Sequence, residues 1–92
     1  MREYWGTRIQ EGAFMGCVNL KTVRICNCMK NIESFAFAYC PNLTNIIYDG
    51  TIDEWKSIWK EEGWNEGLKA TYVQCVDGLF SITADNENVG AI

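Results

Sequence analysis

Ninety-two residues, 48% apolar and 13% aromatic, are expected to make one small globular domain near the lower end of what buries a self-sufficient core. The net charge of −4 is divided unevenly, +2 over residues 1–48 and −6 over residues 49–92. That division argues against a general phosphate-binding face, and its acidic half suits a basic protein or the basic groove of a nucleic-acid-handling enzyme.

Met1–Trp5 is followed by no apolar run, and no stretch approaches the roughly 20 apolar residues of a membrane span. The expected location is therefore the cytoplasm, or the cell surface if the chain is a piece of a longer precursor. From Ile9 a phrase begins that occurs twice. Ile9, Ala13, Phe14, Cys17, Asn19 and Leu20 return as Ile32, Ala36, Phe37, Cys40, Asn42 and Leu43, and Val23 returns as Ile46. A repeat of 23 residues means stacked coils. At this offset residues 1–8 match residues 24–31, so the first coil is expected to lack its leading strand: either Met1–Trp5 forms a cap, with Tyr4 and Trp5 covering the open end, or the chain is a piece of a longer array.

Within each copy, residues 9–17 and 32–40 read as a turn plus a short helix. Ala13, Phe14 and Cys17 with their echoes face inward there. Leu20, Val23 and Ile25, then Leu43, Ile46 and Tyr48, follow as inward positions of strands lying parallel about 4.8 Å apart. Strand alternation turns Thr22, Arg24, Asn45 and Ile47 outward. After Tyr48 the register breaks. Asp49-Gly50 is a turn, and Thr51 with Glu54 forms a capping box opening an amphipathic helix to about Glu62. Ile52, Trp55, Ile58 and Trp59 share its apolar face, and Trp55 falls at the position of Ile9 and Ile32. Trp64–Gly67 reads as a loop. A strand over 70–75 and a second over 79–82 flank Asp77-Gly78, a hairpin signal. The expected layout is repeats at 9–31 and 32–54, closing helix and hairpin at 51–83, and a polar tail at 84–92.

The Ala-Phe-x-x-Cys-x-x-Leu phrase at Ala13–Leu20 and Ala36–Leu43 resembles the BspA-type leucine-rich repeats. Ile47-Tyr48, Gly50-Thr51, Glu54-Trp55, Trp64-Asn65 and Cys75-Val-Asp-Gly78 look like the closing segment of such arrays. The resemblance covers residues 7–82. It implies an α/β solenoid, a short leucine-rich-repeat stack with a small parallel sheet, short helices or turns, a C-terminal amphipathic helix and a terminal hairpin. It also implies protein binding or cell-surface adhesion without catalysis. The family's proline between strand and turn is absent here; Cys26 and Cys28 flank that corner instead.

The chain has no histidine, so Ser-His or Cys-His catalysis has no base, and the paired acids Asp53-Glu54 and Glu61-Glu62 read as helix-end residues. Gly-rich phosphate loops are absent, and no enzyme or cofactor is expected. Cys17 and Cys40 read as small stacked core groups. Cys26, Cys28 and Cys75 are too few for a zinc site without histidine, although they leave a small thiol or metal protein as an alternative. Trp55, Trp59 and Trp64 read as a plug over the end of the stack. The candidate partner-binding residues are Thr22, Arg24, Asn45, Ile47, Tyr72 and Gln74, one outward ladder across the sheet. The expected function is a non-catalytic protein-binding module that blocks or adapts a macromolecular partner, for instance an intracellular phage-encoded anti-defence inhibitor. The second expectation is the terminal piece of a surface adhesin. Two coils being few for a stable stack, self-association through the N-terminal end is also expected.

Overall fold

The computed structural model describes residues 2–82. The chain winds through three coils whose strands form two parallel ladders. One sheet runs β1 (Arg2–Tyr4), β3 (Thr22–Ile25), β5 (Asn45–Tyr48), β7 (Tyr72–Cys75) and β8 (Gly78–Ser81) in that order. The other runs β2 (Arg8–Ile9), β4 (Asn31–Ile32) and β6 (Trp59–Lys60). All pairs are parallel except β7–β8, which is the antiparallel hairpin expected around Asp77-Gly78. Val23, Ile46 and Val73 stand in one register row and are fully buried, as strand alternation requires.

The third side of each coil is a run of tight turns, not the short helix read from the sequence. Amides bond to the carbonyl three residues back, as in Ala13 N to Gln10 O (3.0 Å) and Ala36 N to Glu33 O (3.1 Å). Alternate amides are spent on the next coil: Phe14 N donates to Ala36 O (2.8 Å) and Phe37 N to Trp64 O (2.8 Å). An amide committed sideways in this way cannot propagate a helix. The same ladder stacks the aromatic row of the core. Phe14 and Phe37 lie parallel with centroids 5.2 Å apart, and Trp64 meets Phe37 edge-on at 6.3 Å. Such pairs add about 0.5–1.5 kcal/mol each to the burial of their rings. Cys40 earns its place in the phrase by donating its thiol to Phe14 O (3.0 Å) across coils.

Several further expectations are corrected. The first coil does have a leading strand: β1 pairs with β3, Arg2 beside Val23 and Tyr4 beside Ile25. It escaped the 23-residue offset because three residues link β1 to β2, against five between β3 and β4. Tyr4 covers Phe14 edge-on (6.0 Å) and Arg2 lies 5.7 Å from the same ring, whereas Trp5 stays exposed. At this open end Ala13 is exposed and Cys17 only half-buried, while their echoes Ala36 and Cys40 are buried.

The helix α1 covers only Ile52–Ser57. Its capping box is present, with Thr51 Oγ1 accepting from Glu54 N (3.1 Å) and Glu54 Oε1 from Thr51 N (2.9 Å). Ile58 is already extended, because Trp59 N donates to Lys30 O and Glu61 N to Ile32 O, both at 2.9 Å. Those ladder bonds make Lys60, not Trp55, the successor of Ile32. Trp59 points outward, so the aromatic plug consists of Trp55 and Trp64 alone, both fully buried with centroids 5.9 Å apart. Finally, Trp64–Gly67 is the turn run of the third coil rather than a loop. The helix lengthens that coil, so Val73 follows Ile46 by 27 residues and hides the third copy from a fixed period. The polar tail at 84–92 lies outside the described residues.

Candidate protein-binding face

The outward side of the five-stranded sheet is positioned by its buried side. Val23 and Ile25, Ile46 and Tyr48, Val73 and Cys75 all point into the core, so the residues between them must face out. Arg24, Ile47 and Gln74 stand side by side in register on β3, β5 and β7, and Thr22 stands beside Asn45. Tyr72 faces Ser81 on the hairpin. Asn45, Tyr72 and Gln74 line one shallow depression together with Leu79. The six candidate residues are thus brought onto one surface.

Three further residues complete that surface. Glu3 extends the Arg24 row on β1, and Leu79 extends it past Gln74 on β8, so the row reads Glu3, Arg24, Ile47, Gln74, Leu79. Asp49 holds Arg24: its carboxylate accepts from Nε at 2.9 and 3.1 Å and its Oδ1 lies 2.9 Å from Nη2. The hydrogen bond to Asp49 first, then its charge, raise the Arg24 pKa above the ordinary value, and Glu3 adds to this. Arg24 is therefore a braced cation rather than a swinging one. Tyr72 is 53% and Leu79 64% exposed, so the apolar end of the face lies at the hairpin. Neither Leu79 nor Asp49 was legible in the sequence. The hairpin turns at Val76-Asp77 and sets Cys75 beside Gly78, whereas a turn at Asp77-Gly78 would have set Leu79 beside Val76. Asp49 read there only as a turn residue.

Cys26 and Cys28 are joined by a disulfide around Asn27, and Cys17, Cys40 and Cys75 are free. Cys75 stands on β7, two strands from β3, so it does not complete a set with the pair. No group of three or more His, Cys, Asp or Glu side chains suited to a metal ion occurs among the described residues.

The family model for the BspA type leucine rich repeat region (6 copies) matches residues 6–58, more than half of the chain. The chain belongs to this family. No match was found among curated proteins or among solved structures. As a BspA-type repeat protein it is a protein-interaction or adhesin-like module, on a scaffold that is generally non-enzymatic. The BspA-type match ends at the close of α1, and coil geometry continues beyond it through β6, the third turn run and β7. No helix among the described residues is long and apolar enough to cross a membrane.

Proposed function

We propose that this chain is a non-catalytic module that binds a protein partner through the outward sheet face of Thr22, Arg24, Asn45, Ile47, Tyr72 and Gln74. The observation that carries the reading is the register row Arg24, Ile47, Gln74, Leu79. It sets a braced cation, a half-buried aliphatic side chain, an amide and an exposed leucine next to one another. An apolar centre with an arginine and a tyrosine beside it has the composition of an interface core. Partner capture by wild type is to be compared with capture by Tyr72→Ser plus Leu79→Ser, and by Arg24→Glu plus Ile47→Asp. Circular dichroism checks that each is folded. Equal capture of the same protein by both folded variants removes the face from consideration.

Two settings follow for such a module, an intracellular inhibitor such as an anti-defence protein and a unit of a surface array. Self-association through the N-terminal end is part of the same proposal. The outer edges of β1 and β2 have no strand partner among the described residues, and Ala13 and Val18 are exposed beside them. Sedimentation at rising concentration tests it; a monomer throughout rejects it.

A further inference from the structure

We propose that the turn edge of the stack, built on Phe35 and Tyr39 with Glu62 and Glu66, binds an extended arginine- or lysine-rich segment of a protein partner. This deepens the protein-binding reading and rests on it, but concerns a different surface from the sheet face.

Each turn run needs two residues in the left-handed backbone region. In the first coil they are Gly12 (φ 66°) and Gly16 (φ 71°), and in the third Gly63 (φ 81°) and Gly67 (φ 65°). In the second coil the same places hold Phe35 (φ 59°) and Tyr39 (φ 56°). Backbone bonds fix the correspondence: Phe35 N donates to Gly63 O (3.2 Å) and Tyr39 N to Glu66 O (2.7 Å). Bulky side chains are disfavoured in this conformation, and glycine fills it on both neighbouring coils. What Phe35 and Tyr39 supply is therefore the ring. Phe35 and Tyr39 are 40% and 54% exposed, and their rings lie against the bare glycines of the third coil. A Cβ at Gly63 would come 3.3 Å from the Phe35 ring, and one at Gly67 would come 2.8 Å from that of Tyr39.

The charge of this edge names the occupant. The three turn runs, residues 10–17, 33–40 and 61–68, hold five carboxylates and no basic side chain. Glu33 is engaged by Arg8 (3.0 Å). Glu62 and Glu66 are exposed and immediately precede the two glycines that the rings cover. Each ring thus covers a glycine that an exposed glutamate immediately precedes on the adjacent coil. A guanidinium stacks on an aromatic ring and pairs with a carboxylate through its fork of donors, so this pairing of groups suits arginine above all. Phosphate is repelled here, and an apolar partner would have to strip water from Glu62 and Glu66.

The test is fluorescence anisotropy with a labelled oligo-arginine peptide, an oligo-lysine peptide and an oligo-glutamate control, at two salt concentrations. Wild type is expected to bind oligo-arginine saturably, oligo-lysine more weakly and oligo-glutamate not at all. Phe35→Gly plus Tyr39→Gly should fold, since glycine serves at these places in the neighbouring coils, and should weaken binding about tenfold. Phe35→Asn plus Tyr39→Asn, which also tolerates the left-handed region, should do the same. Glu62→Gln plus Glu66→Gln should weaken binding and flatten its salt dependence. The proposal falls if wild type shows no saturable binding, or if loss of both rings leaves the affinity unchanged. Tyr72→Ser plus Leu79→Ser should bind the peptide like wild type; loss there with the ring variants unaffected would move cation binding to the sheet face and overturn the turn edge alone.

Discussion

Lys60 takes on β6 the place that Ile32 takes on β4, directly beside it in the ladder. It is buried, and its ammonium donates to Trp55 O (2.9 Å) and Ile58 O (3.0 Å), 4.9 Å from the centre of the Trp55 ring. These carbonyls close α1, where a cation is favoured. Lys60→Ile would continue the apolar row and yet leave the Ile58 carbonyl without this donor. It is expected to lower the unfolding free energy by about 1–3 kcal/mol in a urea titration.

Tyr39 and Gly67 are coupled through space. Gly67→Ala forces a Cβ into the left-handed region, a cost of about 1 kcal/mol, and against the Tyr39 ring as well. The expected loss is about 2 kcal/mol in wild type and about 1 kcal/mol in a Tyr39→Gly background. A double-mutant cycle in denaturant reads the difference.

Trp64 stands in the row of Phe14 and Phe37, and its buried indole Nε1 has no hydrogen-bond partner among the described residues. Trp64→Phe removes that unmet donor, which offsets the void the smaller ring leaves. The change is expected to stay within about 1 kcal/mol, whereas Trp64→Ala should cost about 3–5 kcal/mol. Thermal unfolding of the three proteins tests the ranking.

Burial raises the acid pKa values of Cys40 and Cys75 above the ordinary 9.0 and that of Tyr48 above 10.0. An acid whose folded pKa is raised ionises first in the unfolded chain, so the unfolded state binds fewer protons once pH exceeds its ordinary value. Stability from these groups is complete at neutral pH and is lost as pH rises from 9.0 upward, with Tyr48 adding to the fall above 10.0. Unfolding curves across that window should steepen downward, and Cys40→Ala should shallow the slope while lowering the plateau.

Thiol labelling separates the five cysteines. In the native oxidised chain Cys17, half-buried, should react with an alkylating reagent well before Cys40 and Cys75, which are buried. Mild reduction should then release two further labelling sites at Cys26 and Cys28, read by peptide mass.

The stack and its core were legible because the doubled phrase repeats every contact-making residue at one spacing. Phe14 on Phe37 and Val23 beside Ile46 follow from that offset alone. The third coil was not legible, since α1 is inserted in it and moves Trp64 and Val73 off the period. β1 was missed for the converse reason, a link two residues shorter than its counterpart. The outward ladder could be named from strand alternation, but Asp49 bracing Arg24 depends on side-chain reach around the turn after β5, to which no sequence period refers.

By itself, then, the sequence determined what is periodic: a coil of fixed length, its inward row, and the outward row that alternation implies. Tertiary structure decided what breaks the period. Parallel ladder bonds stopped the helix at Ser57 and brought Lys60 into an isoleucine's place. Stacked turn runs put Phe35 and Tyr39 in a backbone conformation suited to glycine, with their rings over Gly63 and Gly67. The reason is physical: periodicity records the contacts each coil makes alike, whereas an individual surface arises where one coil differs from the two against which it packs.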